Sequence, residues 1–292
     1  MADFTGPAGP TGPIRPAGPA GPASGPAHWN PAQYARYATH RARPFHELLA
    51  RVPPLPGAPP RVADLGCGAG GPSAQLLRRW PDAHVTGYDS SPSMLSEAVR
   101  DHAGPTEAGG SLDFVRADLA DWPGPRRETF DLIISNAALH WLPGHTVRFA
   151  DWLDALPAGG VLAFQVPGNF TAPSHTILAE LRDAPRWRDR LGTPARNTVW
   201  EPGEYLAELA RLGCDVDAWE TTYQQVLPGE DAVLEWVRGT TLRPVLTLLA
   251  DEPEARAAFL EEYAARLREA YPRRAYGTVY PFRRIFVVAV RR

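Results

Sequence analysis

A glycine-rich loop follows the first apolar strand of this sequence and opens a helix, and this arrangement limits the folds that the chain can adopt. The strand is predicted at 61–65, the loop at Gly66–Gly71 and the helix from Pro72, a residue that suits a first helical turn. Further strands, with helical stretches between them, are predicted at 84–89, 112–115, 130–135 and 161–166. Such alternation predicts right-handed βαβ units, and the nearly continuous apolar strands indicate a parallel sheet covered on both faces.

The second half of the sequence is mainly helical. A helix is predicted at 146–156, and residues 170–213 and 230–271 also carry helical patterns. A strand is predicted at 216–226, and an apolar strand is predicted at 284–290. A helical block between two late strands predicts a lid, so we expect an α/β fold with a Rossmann-like, mostly parallel sheet and a helical lid inserted in the C-terminal half.

The first 27 of the 292 residues are almost all Gly, Pro, Ala, Thr or Ser. Their Gly-Pro-x triplets are too few and too interrupted for a collagen triple helix, so we expect a disordered tail at 1–27 with a polyproline-II bias. Residues 28–292 are expected to form a single folded domain. Its cofactor-binding core is predicted at about 55–167, with helical cap elements at about 28–52, 170–213 and 230–280.

Composition excludes several classes of function. The chain has 30 basic and 33 acidic residues, so no basic excess points to a nucleic-acid partner. No apolar run approaches the length of about 18 residues that a spanning helix needs, so no membrane partner is expected. Two cysteines, Cys67 and Cys214, cannot form a disulfide framework, which indicates a cytoplasmic location. The histidines and cysteines show no metal-ligand spacing, so no metal site is expected.

The glycine loop alone does not identify its ligand, because Gly66, Gly68 and Gly71 also satisfy the GxGxxG pattern of dinucleotide-binding loops. Asp64, two residues before the first of these glycines, would repel a pyrophosphate but suits an ammonium group. Pro72 removes one of the N–H donors that a phosphate uses at a helix start. Both features favour S-adenosylmethionine over NAD as the cofactor.

Residues after the next two strands fit the same cofactor. Asp89 ends the second strand, 23 residues after Gly66, where a carboxylate accepts hydrogen bonds from both ribose hydroxyls. The side chain of Met94 would cover one face of the adenine, and Asp118 would accept from the adenine amino group. The alternatives are that Met94 belongs to the core and that Asp118 caps a helix.

The sequence resembles the class I S-adenosylmethionine-dependent methyltransferases in the segments VADLGCGAG, VTGYDSSPSML, FVRADL and FDLIISNAALHWL. It is similar to the trans-aconitate 2-methyltransferase family in WNPAQYARYATHRARPFHELLARV, NAALHWLP, GCDVDAWETTY, EWVRGTTLRP and PFRRIFVVA. This resemblance spans about residues 28–291. It implies a seven-stranded sheet with an antiparallel last strand, and monomethyl esterification of trans-aconitate, a small polycarboxylate. It also implies that Asn136 lines the methionine end of the cofactor. The full expected cofactor set is Asp64, Gly66, Gly68, Gly70, Asp89, Ser90, Met94, Asp118, Leu119 and Asn136.

The acceptor chemistry agrees with a carboxylate. A carboxylate with a pKa near 4 is already ionised at pH 7 and needs no general base, whereas a phenol or hydroxyl acceptor more often requires one. His140 is the best candidate for a catalytic base, and a structural role for it is equally open. Other hypotheses are a small-molecule methyltransferase with another oxygen, nitrogen or carbon acceptor, and a cofactor-binding protein without turnover.

A tricarboxylate substrate needs local arginines, because the bidentate guanidinium matches a carboxylate. Tyr34, Tyr37 and Arg41 share one face of the predicted first helix. Arg243, Arg283 and Arg284 flank the predicted lid, and strand periodicity places Arg283 and Arg284 on opposite faces, so at most one faces the pocket. The expected substrate-binding set is Tyr34, Tyr37, Arg41, Trp141, Arg243 and Arg283.

Overall fold

The computed structural model describes residues 38–124, 128–192 and 199–292, with side chains from residue 42 onward. Its strands are β1 Arg61–Leu65, β2 His84–Asp89, β3 Gly104–Pro105, β4 Ser111–Arg116, β5 Leu132–Asn136, β6 Val161–Pro167, β7 Cys214–Leu227 and β8 Thr278–Arg291. They form one sheet in the order β3-β4-β2-β1-β5-β6-β8-β7. Strands β4, β2, β1, β5 and β6 pair in parallel, and β8 lies antiparallel between β6 and β7.

The helices cover this sheet and form a cap. They are α1 Ala38–Arg51, α2 Gly71–Arg79, α3 Pro92–His102, α4 Phe149–Asp154, α5 Pro173–Asp183, α6 Pro185–Leu191, α7 Pro202–Arg211, α8 Ala232–Arg238, α9 Arg243–Leu248 and α10 Pro253–Ala270. Seven of these carry a proline in the first turn, where the missing N–H has no intrahelical acceptor and the fixed φ suits the helix. No helix among residues 38–124, 128–192 and 199–292 is long and apolar enough to cross a membrane.

The mostly parallel α/β sheet with a helical cap is confirmed, with two differences in detail. The expectation of seven strands was one too few, because the two-residue strand β3 pairs antiparallel with β4 at the edge of the sheet. The single helix predicted at 146–156 was wrong, because a 3-10 helix at His145–Arg148 precedes the α-helix α4. Gly144, in the left-handed conformation, starts that tighter turn.

Each face of the sheet carries its own apolar core. On the first face, Phe45 and Leu48 of α1 pack with strand residues such as Val62 and Ile134. On the second face, Trp152 of α4 and Tyr205 of α7 pack with strand residues that include Phe164. The removal of this apolar surface from water is the main stabilising contribution. Helix α7 therefore covers the sheet, although its sequence was grouped with the cap.

The cap is built on an extension of the sheet. β7 and β8 pair over 14 residues each, from Cys214 opposite Arg291 to Leu227 opposite Thr278. Only the part of β8 from Arg284 to Val290 pairs with β6, so the remainder continues past the carboxyl edge of the parallel strands as a two-stranded ribbon. Tyr280 and Phe282 of this ribbon join Trp187, Trp236 and Phe259 in the apolar core of the cap. The cap is thus tied to the sheet by continuous backbone.

Candidate active site

The glycine loop between β1 and α2 leaves space for a ligand against its backbone. Gly66 has φ +77°, and a Cβ atom added there would lie 2.2 Å from Cβ of Ala138, in the turn after β5. Gly68 has φ +55°, and an added Cβ would meet no atom of the described residues within 4 Å. Left-handed backbone favours glycine at both positions, and close approach to a neighbouring turn excludes a side chain at Gly66. Gly70, also left-handed, is the N-cap residue of α2.

Asp64 lies beneath this loop as a buried carboxylate with one unused oxygen. The residue is 1% exposed, and its Oδ2 accepts a hydrogen bond of 2.6 Å from Oγ of Ser73 in α2. Within the described residues, Oδ1 has no hydrogen-bond partner. Burial raises the pKa of Asp64 to about 6, and the negative charge of Asp89 adds to the increase while Ser73 opposes it. An orphaned, buried carboxylate oxygen fits the ammonium group of S-adenosylmethionine.

The raised pKa carries a cost for the ligand-free protein. In the unfolded chain Asp64 ionises near its ordinary pKa of 3.8, whereas in the folded protein it holds its proton up to about pH 6. The ionised folded state is therefore destabilised by about 3 kcal/mol, a cost that is absent below pH 3.8 and complete above pH 6. A bound ammonium group would offset this cost.

Cofactor affinity is expected to fall in mild acid. Because an ammonium ligand prefers the ionised carboxylate, the dissociation constant of S-adenosylmethionine should rise about tenfold per pH unit below pH 6. Titration calorimetry from pH 5 to pH 8 measures this. The variant Asp64→Asn should bind weakly with no such slope, and Asp82→Asn, at an exposed turn, should keep the slope of the unmodified protein. An unchanged slope in Asp64→Asn would assign the titration to another group.

Asp89 ends β2 beside the loop and is held by backbone donors. Its Oδ2 accepts from the N–H of Gly68 at 3.0 Å, and its Oδ1 accepts from the N–H of Ser91 at 2.8 Å. A carboxylate has about four acceptor positions, so each oxygen retains one for a ribose hydroxyl. The two backbone bonds fix the orientation of the carboxylate and tie it to the ligand-facing part of the loop.

The predicted adenine side is only partly enclosed. Met94 lies in the first turn of α3 and is 8% exposed, and Leu119 approaches the loop near Gly66. Ser90 is exposed, and Oδ1 of Asp118 accepts a bond of 2.9 Å from the N–H of Ala120. Asp118 therefore stabilises the turn that follows it, whereas the alternative from the sequence was a helix cap, and no helix begins there. Contacts of these four residues with the cofactor stay predictions.

The turn after β5 brings Asn136 next to the glycine loop. Asn136 is the last residue of β5, and Ala137, which follows it, has the unusual φ of +56°. Ser135 donates from Oγ to the carbonyl of Leu65 at 2.7 Å, which joins the ends of β1 and β5. Oδ1 of Asn136 accepts from the side-chain amide of Gln165 in β6. The position of Asn136 agrees with the methionine end of the cofactor, a role that stays predicted.

Histidines on this side of the sheet are uncharged at neutral pH. Burial, together with the positive charge of Arg284 and the influence of His145 and His175, lowers the pKa of His140 to about 3. No residue in the described ranges reaches its buried Nδ1 with a hydrogen bond. Burial also lowers the pKa of His175 to about 4. His145 has a pKa of about 4, lowered by burial, and is bonded to the hydroxyl of Tyr205 at 2.8 Å.

The arginines near the cap have different surroundings. Arg283 pairs with Glu220 at 3.0 Å and with Glu201 at 3.1 Å, and these hydrogen bonds raise its pKa. Arg284, the next residue, is 7% exposed and donates to Oε1 of Gln165 at 3.1 Å. Arg243 begins α9, and burial lowers its pKa. The opposite orientations of Arg283 and Arg284 agree with the strand period, and Arg283 as the substrate ligand stays a prediction.

The remaining residues predicted to bind the methyl acceptor are either exposed or have no described side chain. Trp141 is 51% exposed, and its ring centroid is 4.8 Å from that of His140. Tyr34 and Tyr37 lie outside the described residues, and Arg41 belongs to α1 without a described side chain. No group of three His, Cys, Asp or Glu residues that could hold a metal ion occurs in the described part of the chain.

Two residues that the structure adds to the site were not singled out in the sequence. Ser73 holds Asp64, and Gln165 joins Asn136 to Arg284. Gln165 did carry a signal, because it is the one polar residue in the otherwise apolar run Val161–Val166. A lone amide in a buried parallel strand requires partners, and its partners are the site residues.

Comparisons with known proteins identify the family. A family described as "Methyltransferase domain" matches residues 62–160, the span from β1 to the start of β6. A trans-aconitate 2-methyltransferase of Streptomyces coelicolor is 57% identical over 263 residues, which cover 89% of this chain and 86% of that protein. Proteins of the same name from Rhodococcus jostii and Mycobacterium tuberculosis are 49% and 43% identical, each over 89% of this chain and at least 96% of the relative.

Solved structures agree on the fold. The YcgJ protein of Bacillus subtilis matches 86% of this chain and 98% of its own with a TM-score of 0.53 and 15% identity. Phosphoethanolamine N-methyltransferase 2 of Haemonchus contortus, solved with S-adenosyl-L-methionine, matches 85% of this chain and 52% of its own with a TM-score of 0.51 and 18% identity. Identity, coverage and the glycine-loop geometry lead to one assignment: the chain belongs to the trans-aconitate 2-methyltransferase family of S-adenosylmethionine-dependent methyltransferases.

Proposed function

We propose that this protein transfers a methyl group from S-adenosylmethionine to one carboxylate of trans-aconitate and releases the monomethyl ester. Relatives at 43–57% identity over most of the chain carry the name of this activity. The buried carboxylate of Asp64 fits the ammonium group of the cofactor, and the oriented carboxylate of Asp89 fits its ribose. The loop around Gly68 leaves space for a ligand that lies against the backbone. These residues would hold S-adenosylmethionine, which supplies an electrophilic methyl group when bound.

The low pKa of His140 is the observation that favours a carboxylate over a phenol or an alcohol as the methyl acceptor. A general base for a phenol or an alcohol works best with a pKa near 7, and a histidine with a pKa of about 3 takes up a proton poorly at that pH. His145 and His175, at about 4, are also neutral. A carboxylate acceptor needs no deprotonation at pH 7, so the site has to orient the acceptor and exclude water. His140 then lines the pocket without acting as a base.

A methyl-transfer assay tests this proposal. Incubation with methyl-labelled S-adenosylmethionine and a panel of acids and phenols should give label on trans-aconitate that mild base removes, because the product is an ester. The trimethyl ester of trans-aconitate, which has no free carboxylate, is the matched control and should stay unlabelled. Label that resists base would indicate a different methyl acceptor, and cofactor binding without transfer to any compound would indicate a non-catalytic protein.

A small polycarboxylate is the partner that this proposal requires, and we place the protein in the cytoplasm. Cys67 and Cys214 are buried free thiols, which fits a reducing compartment. Burial raises the pKa of the Cys67 thiol, with Asp64 and Asp89 adding to the effect, so this cysteine of the glycine loop stays protonated and packs as a small apolar residue.

A further inference from the structure

The turn after β5 carries His140 to the edge of the glycine loop. β5 ends at Asn136, and Ala138 lies so near Gly66 that a Cβ atom added to Gly66 would be 2.2 Å from Cβ of Ala138. The N–H of Trp141 donates to the carbonyl of Ala138 at 2.9 Å, and this bond closes a tight turn around His140. Two residues of chain span at most about 7 Å, so the Cα atom of His140 lies within that distance of Cα of Ala138. His140 is therefore beside the loop that is predicted to hold the cofactor.

The 3-10 geometry of this turn separates the directions of its side chains. The turn spans Leu139–Trp141, and with three residues per turn successive side chains point about 120° apart. Leu139 is fully buried in the apolar core of the second face, whereas Trp141 is 51% exposed. His140 takes the remaining direction, and its Nδ1 is closed to water. This nitrogen thus faces neither the apolar core nor the solvent.

His145 and His175, by contrast, have their hydrogen-bond partners within the protein. Nε2 of His145 is bonded to the hydroxyl of Tyr205 at 2.8 Å, and both ring nitrogens of His175 contact hydroxyl groups, at 3.1 and 3.2 Å. For Nδ1 of His140, none of the residues that the structure describes is such a partner. A buried polar atom without a partner is uncommon and costs free energy, so this nitrogen has its hydrogen-bonding capacity available for a ligand.

A carboxylate is the ligand that suits this nitrogen. Burial is the main cause that lowers the pKa of His140 to about 3, so the ring is uncharged at neutral pH and only one of its nitrogens carries a proton. A carboxylate at Nδ1 selects the tautomer with the proton there. A neutral N–H orients the carboxylate, whereas an imidazolium would pair with its charge and weaken the attacking oxygen as a nucleophile. Methyl transfer breaks the S–CH3 bond, leaves both of its electrons on sulfur and forms an O–CH3 bond, so no proton has to move.

We propose that His140 donates a hydrogen bond from Nδ1 to the reacting carboxylate of the acceptor and so directs the attacking oxygen toward the methyl group. This inference rests on the proposed function and assigns the residue that orients the acceptor in that site. The packing of Ala138 against Gly66 fixes the distance from the donor to the glycine loop. The turn that borders the predicted cofactor site therefore also aligns the acceptor, and His140 keeps its proton throughout the reaction.

Three substitutions of His140 separate an orienting role from a packing role. Asn carries its amide nitrogen on Cγ, the atom that carries Nδ1 in histidine, so His140→Asn should keep the KM for trans-aconitate within about threefold. Gln places its amide nitrogen one bond further from the backbone, and Phe fills the ring volume without a donor. His140→Gln and His140→Phe should therefore raise this KM and the inhibition constant of tricarballylate about tenfold or more, with a similar fall in kcat. In all three, the dissociation constant of S-adenosylmethionine should change less than about threefold.

A packing role predicts the reverse order, because His140→Phe keeps the space filled and His140→Asn leaves a cavity. That order, equal KM values in His140→Asn and His140→Gln, or a proportional loss of cofactor affinity would overturn the assignment. The comparison of the two amide variants serves if His140→Phe does not fold. His102→Gln, at an exposed position in the last turn of α3, is the control and should leave KM unchanged.

Calorimetry distinguishes a failure of this inference from a failure of the proposed function. If the unmodified protein methylates no carboxylate, the proposed function fails. Binding of tricarballylate in the presence of S-adenosylhomocysteine is then measured for the unmodified protein, His140→Asn and His140→Gln. Affinity that only His140→Gln weakens, by about tenfold or more, supports the hydrogen bond from Nδ1. Equal affinity in all three proteins, or no binding to any of them, excludes it.

Discussion

Replacing Asp89 with alanine should raise the dissociation constant of S-adenosylmethionine about 100-fold or more, because the two charge-assisted hydrogen bonds that we propose from Asp89 to the ribose hydroxyls would be lost. The same change removes the acceptor for the N–H groups of Gly68 and Ser91, so the loop also loses its alignment. Titration calorimetry of the purified variant gives the dissociation constant directly. A single-turnover assay at saturating cofactor should recover most of the transfer rate, since the acceptor pocket is unchanged.

Asp113→Ala is the control for this substitution. Asp113 is an exposed carboxylate in β4, the strand next to β2, and its removal should leave cofactor affinity within about twofold of the unmodified protein. An Asp89→Ala protein that binds S-adenosylmethionine normally would show that the ribose is not held at the end of β2. The location of the cofactor relative to the glycine loop would then have to be revised.

The second large effect is expected at Gly66. In Gly66→Ala the new methyl group would lie 2.2 Å from Cβ of Ala138, at a backbone φ of +77° that alanine adopts at a cost. Together these should lower the free energy of unfolding by about 3 kcal/mol, which corresponds to a fall in Tm of about 10 °C for a chain of this size. Cofactor binding should be lost as well, because the turn after β5 must move and it carries Asn136.

Gly144→Ala separates the two contributions at Gly66. Gly144 has φ +67°, and an added Cβ meets no described atom within 4 Å, so this variant carries the conformational cost alone. A decrease of about 1 kcal/mol is expected there by thermal or chemical denaturation. Equal destabilisation of the Gly144 and Gly66 variants would mean that contact with Ala138 is not what requires a glycine after β1.

The sequence alone was sufficient for those parts of the fold that local patterns determine. The apolar strand 61–65, the glycine loop and the first-turn prolines each reflect backbone constraints within a few residues, and the structure has strand, loop and helix at these positions. The positions of Asp64 and Asp89 near the ends of two neighbouring strands could be predicted for the same reason, and the structure has them there. Their contacts with the cofactor stay predictions.

Features that depend on pairing between distant strands could not be predicted from the sequence. Strand periodicity placed Arg283 and Arg284 on opposite faces, but only the register of β8 against β6 and β7 decides which neighbouring strand residues each of them meets. The length of β7 and β8 was underestimated because their polar and aromatic residues hide the extension into the cap. Helix α7 was predicted as part of the cap, yet its residues Tyr205 and Leu209 pack in the apolar core on the second face of the sheet.

The unbroken path of β7 and β8 from sheet to cap has a mechanical consequence. Backbone hydrogen bonds along the whole ribbon would have to bend or break if the cap swung away as one body, and such motion is costly compared with small shifts of the surrounding helices. In-line transfer tolerates little misalignment between the atom that gives up the methyl group and the oxygen that takes it. We therefore expect the ribbon to hold the cap at a constant separation from the glycine loop, so that each turnover begins from the same geometry.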